Sequence, residues 1–310
     1  MFSQITKIKA FVKSLLLPVY YRYLYTSTLL RRYSIKLLSS RQTIDYLINS
    51  KCSLSRFGDG EFRLAMAYST GRENNEGIGF QEYDPVLGKR LYEILTTPRK
   101  NHKIGLPSPI FGRINKLLKP VARDYWKNQA LKYFDWLYKA VDKDTVYLDS
   151  FFSRFYMDYK NHSKCEEYIR ALSKIWMGCD LIVVEGELTR FGVGNDLFES
   201  ASSVRRIICP AKNAFSRLED IENAIIESAD AESLVLVALG PTATIIAADM
   251  SACGIRTIDI GHIDIEYEWM RLGVETKVPV AGKYVNEARV ADTGVISDED
   301  YSRQIITRIL

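Results

Sequence analysis

The sequence predicts an α/β protein with a Rossmann-like, mostly parallel sheet and helices on both faces. Two observations carry this prediction. Short continuous apolar runs, such as residues 180–184 and 233–239, are typical of strands that are buried on both faces. Segments with apolar residues at helical spacing separate these runs along the chain, and this alternation favours parallel strands joined by crossover helices.

The predicted elements follow one another from about residue 50 onward. The first strand is residues 54–57, which lead directly into Gly58. Further strands are predicted at residues 103–106, 146–148, 180–184, 206–209, 233–239 and 256–260. Helices are predicted at residues 121–141, 165–177, 218–229 and 243–253, where apolar side chains recur at helical spacing.

Length and composition are those of an ordinary globular protein. The chain has 310 residues, 47% hydrophobic and 26% charged, which is enough apolar material for a sizeable core. The net charge of +4 is mild and predicts no nucleic-acid partner. The five cysteines are scattered and lack Cys-x-x-Cys spacing, so we expect reduced thiols in a cytoplasmic protein, without a zinc site or a disulfide framework.

Residues 1–40 are predicted to form a basic and apolar helical extension, and residues 41–310 the main domain. Residues 5–38 include several lysines and arginines and no acidic residue. Their longest uncharged run is too short for a transmembrane helix, and no signal-peptide cleavage signature follows it. Two interpretations stay open. Either the extension contacts an anionic membrane surface at the inner face of the cell membrane, or it packs on the domain or a partner with its basic residues solvated.

The most informative motif is Gly58-Asp59-Gly60-Glu61, directly after the first strand. Its glycines let the backbone adopt positive φ and approach a ligand closely. Mg²⁺ and Mn²⁺ take oxygen ligands and keep coordination sites for phosphate, so Asp59 and Glu61 predict a metal that holds a diphosphate. The alternative is a turn and a helix whose first turn carries acids that complement the helix dipole. The motif alone favours neither.

Three later loops are expected to join this motif, because ligands of parallel α/β sheets lie at the carboxyl ends of the strands. These loops are residues 185–195, 240–242 and 261–264. The helix start at Gly240-Pro241-Thr242 has free amide groups that favour phosphate, although taken alone an ordinary capped helix is the simpler explanation. No Gly-x-x-x-x-Gly-Lys-Ser/Thr motif is present, which argues against a P-loop enzyme.

Arg56 and the 185–195 loop supply further candidates for ligand binding. Arg56 and Arg190 suit bidentate contacts to phosphate, but structural ion pairs with nearby glutamates explain them equally well. Gly192-Val193-Gly194 lacks the third glycine of the dinucleotide fingerprint, so NAD binding is a weak interpretation. Asn195 either caps a helix or faces a hydroxyl group of ribose or sugar.

His262 stands at the end of the last predicted strand, shortly before Asp264 and Glu268. A neutral imidazole is a ligand for Mn²⁺ or a contact for phosphate. Asp264 and Glu268 are four residues apart and share one face if this segment is helical. The alternative is a solvated acidic helix start beside a histidine that caps the core.

Five motifs in this order resemble a known family. They are Ser55-Arg56-Phe57-Gly58-Asp59-Gly60-Glu61-Phe62, Gly79-Phe80-Gln81, Arg190-Phe191-Gly192-Val193-Gly194-Asn195-Asp196, Ala238-Leu239-Gly240-Pro241-Thr242-Ala243-Thr244 and Asp259-Ile260-Gly261-His262-Ile263-Asp264-Ile265-Glu266-Tyr267-Glu268-Trp269. The combination is similar to the GT-D fold glycosyltransferases, formerly the domain of unknown function 1792. The similarity covers about residues 40 to 290 and excludes the extension.

The resemblance implies a GT-D type sheet and an enzyme that transfers a hexose from a UDP-sugar to a glycan acceptor, including a lipid-linked one, in bacterial polysaccharide or glycoprotein assembly. It implies Mn²⁺ or Mg²⁺ as cofactor. The family's Asp-x-Glu motif falls on Asp59 and Glu61 as the group associated with metal and UDP. The resemblance also carries over His262 as a metal or phosphate ligand and Glu268 as a catalytic base. In the mechanism that this implies, Glu268 or Asp264 would deprotonate the acceptor hydroxyl.

Two other functions use the same residues. A metal-dependent phosphotransferase or nucleotide hydrolase would release phosphate or nucleotide without a sugar acceptor. A non-catalytic subunit would bind a nucleotide-sugar, or a partner transferase through its basic N-terminal segment. The intact Asp59 and Glu61 argue against the non-catalytic subunit.

Overall fold

A computed structural model describes residue 23 and residues 28–71, 77–285, 290–291 and 299–310 of the chain. In this part of the chain nine strands form one sheet, and two short strands form a separate antiparallel ribbon. The strands are β1 Lys36–Leu37, β2 Ser53–Arg56, β3 His102–Leu106, β4 Val146–Asp149, β5 Asp180–Gly186, β6 Ser203–Cys209, β7 Ser233–Ala238, β8 Thr257–Asp259, β9 Tyr284–Val285, β10 Val290–Ala291 and β11 Ile305–Arg308.

The nine-stranded sheet has the order β1-β4-β3-β2-β8-β7-β5-β6-β11, and every neighbouring pair in it is parallel. From β2 the chain moves through β3 to β4 on one side, and from β5 it moves to β6 on the other. β2 and β8 are neighbours near the middle. The predicted α/β fold with a mostly parallel sheet is therefore confirmed. Its ligand site is expected where the connections diverge, at the carboxyl ends of the central strands.

Helices cover both faces of the sheet. They are α1 Leu29–Ser34, α2 Ser40–Ser50, α3 Asp59–Ser69, α4 Pro85–Thr96, α5 Pro120–Ala140, α6 Cys165–Leu172, α7 Leu218–Ser228, α8 Pro241–Ala252, α9 Ile263–Leu272 and α10 Glu299–Gln304. In β5, Leu181 and Val183 pack into the core shared with α2, α6 and α9, whereas Ile182 and Val184 pack into the core shared with α7 and α8. Successive side chains of a strand point to opposite faces, so a continuous apolar strand requires a helical layer on each side.

Most predicted elements agree with the structure to within a few residues, but the predicted helix at residues 165–177 is too long. Helix α6 ends at Leu172, and a 3₁₀ turn follows at Ser173–Ile175. The indole of Trp176 is fully buried and donates to the Leu197 carbonyl at 3.0 Å. Packing of this side chain, and not helix propensity, decides where the helix stops.

We predicted that the main domain begins at residue 41, but residues before that position already pack against it. Strand β1 pairs with β4, and Arg32 of α1 is buried, with its Nη1 donating to the Ile110 carbonyl at 3.2 Å. Residues 28–40 therefore belong to the main body, as the packed interpretation expects. The rest of the predicted membrane-contacting segment, residues 5–22 and 24–27, lies outside the described residues. None of the described helices is both long enough and apolar enough to cross a membrane.

Candidate active site

A cavity of about 330 Å³ opens at the carboxyl edge of the sheet. Its wall contains residues that directly follow β2, β4, β5, β6, β7 and β8, together with residues 78–81. The four loops singled out in the sequence each contribute to this wall, because parallel strands deliver their carboxyl ends to one edge. The structure thus brings these loops together at one site.

Asp59 and Glu61 both line the cavity, in the first turn of α3. The Glu61 Oε2 atom accepts the backbone N–H of Gly58 at 2.7 Å, and the Asp59 Oδ2 atom accepts the hydroxyl of Tyr125 at 2.6 Å. Both acids therefore also fit the alternative interpretation, in which acidic residues in the first turn of a helix complement its dipole and its free amide groups. The two interpretations of this motif are compatible.

A third carboxylate, Asp259 at the end of β8, lines the same cavity. Burial raises the pKa of Glu61 to about 7; backbone hydrogen bonds oppose this shift, and the negative charge of Asp259 adds to it. Burial also raises the pKa of Asp259 to about 6, although the Arg56 guanidinium opposes this. Closely placed buried carboxylates favour the binding of either protons or a cation. Mg²⁺ and Mn²⁺ typically bind one or two carboxylates together with substrate phosphates, so the pair Asp59 and Glu61 has the chemistry that such an ion needs.

His262 also lines the cavity, as the residue that precedes α9. Across the described residues, no group of three histidine, cysteine or carboxylate side chains is arranged as a metal site. Asp59, Glu61 and His262 are therefore not assembled into one ligand set, and the ligand role of His262 stays a prediction.

The Arg56 guanidinium lies on the cavity wall beside Asp259, with 3.6 Å between the Arg56 Nε and Asp259 Oδ1 atoms. Its Nη1 atom also donates to Ser153 Oγ and to the Ile260 carbonyl. Gly261 has φ +60°, and a Cβ atom at this position would overlap the guanidinium. A glycine is thus required here for both the backbone conformation and the position of Arg56. The ion pair with a glutamate considered for Arg56 is instead a pair with Asp259.

Three helices begin at the cavity. The residues that precede α3, α8 and α9 are Gly58, Gly240 and His262, and all three line it. First-turn amide groups have no partner within their own helix and favour anions. Pro241 and Thr242 themselves do not line the cavity, so of the predicted Gly240-Pro241-Thr242 motif only the first residue does.

The predicted bases Asp264 and Glu268 belong to a buried cluster with Asn195 and Lys283. Lys283 Nζ lies 2.8 Å from Asp264 Oδ2 and 3.0 Å from Glu268 Oε1. The Asn195 amide donates to Asp264 Oδ1 at 2.8 Å and to Glu268 Oε1 at 2.7 Å. Asp264 lines the cavity and Glu268 does not. The Asn195 amide thus bridges the two carboxylates, and the predicted roles of Glu268 as a base and of Asn195 toward a ribose or sugar hydroxyl stay predictions.

The other candidates of the 185–195 loop also lie off the cavity wall. Arg190 has its guanidinium over the ring of Tyr301, at 5.3 Å from the centroid. Gly192, with φ +72°, allows Phe198 to pack against the loop, and the Gly194 carbonyl accepts a hydrogen bond from Arg271. The described contacts of these residues are packing contacts within the protein, and their part in binding a nucleotide-sugar stays a prediction.

Sequence analysis missed four residues that shape the site: Asp259, Tyr125, Arg154 and Lys283. Asp259 lies next to the end of the predicted strand 256–260, so the rule about strand ends could have included it. Tyr125 and Lys283 come from helix α5 and from the segment before β9, and no local pattern marks them. Only the folded chain brings them to the other groups.

A family model for the glycosyltransferase GT-D fold matches residues 54–288. Two relatives are the "Glycosyltransferase GlyD" of Streptococcus pneumoniae serotype 4 and the "Probable glycosyl transferase Gly" of Streptococcus gordonii, each 37% identical over 87% and 89% of this chain. The chain spans only 32% and 39% of the length of these two proteins.

Two solved structures have the same fold. One, described as "The highly conserved domain of unknown function 1792 has a distinct glycosyltransferase fold", is 35% identical with a TM-score of 0.84, over 92% of this chain and 100% of that one. The other, "A New Glycosyltransferase (DUF1792) from Streptococcus sanguinis", is 37% identical with a TM-score of 0.80, over 89% and 100%. These matches, together with the nine-stranded parallel sheet, show that the chain belongs to the GT-D fold glycosyltransferase family.

Proposed function

We propose that this chain is a metal-dependent glycosyltransferase that moves a hexose from a UDP-sugar to a glycan acceptor. The observation that carries the proposal is the position of Asp59 and Glu61 on a cavity wall that also contains three helix starts. A diphosphate needs its negative charge neutralised, and such a wall offers fixed amide dipoles beside a site for a cation.

The polarity of the wall orients the donor. Arg56 ends β2, and Asp59 and Glu61 follow it on the same wall segment. Phe80 and Leu239, with Pro210 beside them on the loop after β6, supply apolar surface on the same wall. We place the diphosphate by the charged groups and the uracil ring against Phe80, because bases stack on aromatic rings. Gly240 has φ +55° and no Cβ, which allows the Phe80 ring to pack directly on the helix start.

Asp59 and Glu61 would hold the Mn²⁺ or Mg²⁺ ion, with Asp259 adding negative charge from the neighbouring strand. Bound there, the ion would supply Lewis-acid neutralisation of the departing UDP. Arg56, held by Asp259 and packed on Gly261, presents a fixed positive charge to the same wall. These groups are positioned before the reaction, which is what lowers the cost of developing charge.

The base that takes the proton from the acceptor hydroxyl must face the cavity. Of the two predicted carboxylates, Asp264 meets this requirement and Glu268 does not. Lys283 donates to both Asp264 oxygens, which favours the ionised carboxylate and opposes the rise in its pKa caused by burial. We retain Asp264 as the proposed base. The glycan acceptor, including a lipid-linked one at the inner face of the membrane, and the place in polysaccharide or glycoprotein assembly remain part of the proposal.

A thermal-shift series tests the proposal. UDP with Mn²⁺ is expected to raise the melting temperature, whereas ADP with Mn²⁺, or UDP with EDTA, is expected to raise it less, because ligands that bind the folded state stabilise it. Asp59→Asn should remove the metal-dependent part of the shift. An equal response to every nucleotide, or none to metal, contradicts the proposal. Release of nucleotide from UDP-sugars without any glycan product would favour the hydrolase instead.

A further inference from the structure

The carboxylate of Asp59 is contacted from a part of the fold outside the strand-end loops. Tyr125 belongs to the second turn of α5, and its hydroxyl donates to the Asp59 Oδ2 atom at 2.6 Å. Asp59 has glycine on both sides in the sequence, so neither neighbour has a side chain that could fix its orientation. The phenol is therefore a contact that fixes the rotation of this carboxylate.

The Tyr125 ring is itself held in place. It lies edge-to-face on Trp126, at 5.5 Å between centroids with an interplanar angle of 89°. Trp126 is 5% exposed and packs in turn against Phe151, at 5.2 Å and 78°. Trp126 and Phe151 both line the cavity. This aromatic row joins α5 to the cavity wall, and it keeps the phenol hydroxyl at a constant distance from α3.

A hydrogen bond to one carboxylate oxygen has a defined effect on metal binding. It engages Oδ2, which leaves the lone pairs of Oδ1 for a cation and favours coordination through that single oxygen. Partners that orient a ligating carboxylate in this way typically change metal affinity by about 10–100-fold. The ring of Tyr125 remains packed when only the hydroxyl is removed, so this effect is separable from packing.

We propose that Tyr125 is a positioning residue, which orients Asp59 for the divalent cation through its hydroxyl group. This inference rests on the proposed metal site at Asp59 and Glu61. It adds a residue of α5 to a site that otherwise consists of strand-end loops and helix starts. Tyr125 is 44% exposed, so substitution of its hydroxyl leaves the buried core unchanged.

The test is a Mn²⁺ titration of the full chain with saturating UDP, followed by the electron paramagnetic resonance signal of free Mn²⁺. Tyr125→Phe is expected to weaken Mn²⁺ binding by about 10–100-fold, with an unchanged circular dichroism spectrum. Tyr138→Phe is the matched control, because Tyr138 lies on the same helix with its ring against Arg31 and Lys143. It should bind Mn²⁺ as the unmodified chain does.

Three results decide the matter. If Tyr125→Phe binds Mn²⁺ within twofold of the unmodified chain, the positioning role is refuted while the proposed function stands. If the unmodified chain binds no Mn²⁺ with UDP, the proposed function fails and this inference with it. A double-mutant cycle separates an effect on the orientation of Asp59 from a general loosening of the site. In an Asp59→Asn background, Tyr125→Phe should cause no further loss of UDP affinity. A further loss as large as the one that Tyr125→Phe causes in the unmodified chain would refute the inference.

Discussion

Replacement of Lys283 by methionine is expected to destabilise the fold strongly. The Lys283 side chain is 4% exposed and contacts two carboxylates, Asp264 and Glu268, whose side chains are 2% and 11% exposed. Without the ammonium group, the partners that remain among the described residues are the Asn195 amide, which both carboxylates share, and Arg271, at 3.7 Å from Glu268. Removal of one partner of a buried ion pair typically costs about 3–5 kcal/mol, because the remaining charge is left uncompensated.

The loss of folding stability caused by Lys283→Met should depend on pH. Burial raises the pKa of Asp264 above 3.8 even though the Lys283 charge lowers it, so loss of Lys283 raises this pKa further. A group whose pKa is higher in the folded state favours folding at low pH and loses that contribution as the pH rises through the folded value. Lys283→Met should therefore cost more at pH 8 than at pH 5.5, because a lower pH favours the protonated form of Asp264.

Urea unfolding at the two pH values measures this directly. Lys277→Met is the matched control, since Lys277 is exposed in the same segment, and its free energy of unfolding should change by less than about 0.5 kcal/mol. A loss for Lys283→Met below about 1 kcal/mol at pH 8 would mean that the cluster is no stronger than a surface ion pair. A loss equal at both pH values would refute the assigned role of Asp264.

Two further predictions concern the donor. Gly261→Ala should weaken UDP binding, because the new Cβ atom would displace the Arg56 guanidinium. It should also cost about 1–2 kcal/mol of folding stability, because alanine disfavours positive φ. Gly273→Ala, with φ +63° and no atom in its way, should show the backbone cost alone in unfolding and unchanged UDP affinity. Phe80→Ala should cost about 1–3 kcal/mol of UDP affinity measured by calorimetry, while Phe80→Trp retains it. If both Phe80 variants bind UDP with equal affinity, the proposed stacking is refuted.

The site was predictable in part because strand ends converge in a parallel sheet. Asp59, Glu61 and Gly240 each follow a strand that the sequence marks clearly, so their common location at the carboxyl edge followed from a general rule. Arg190 and Glu268 show where that rule stops. Both are near a strand end in sequence, yet Arg190 packs on Tyr301 and Glu268 on Lys283, because a loop or helix has several sides and only one faces the cavity.

The fold class and the acidic loop of this protein can both be inferred from the sequence. Strands that are buried on both faces must be apolar, and the Gly58-Asp59-Gly60-Glu61 motif is contiguous in the chain. The tertiary structure decided which charges meet. Tyr125 and Asp59 are 66 residues apart, and Arg56 and Asp259 are 203 apart. No periodic pattern encodes such pairs, because they depend on helix packing and strand order, which are set by the whole core.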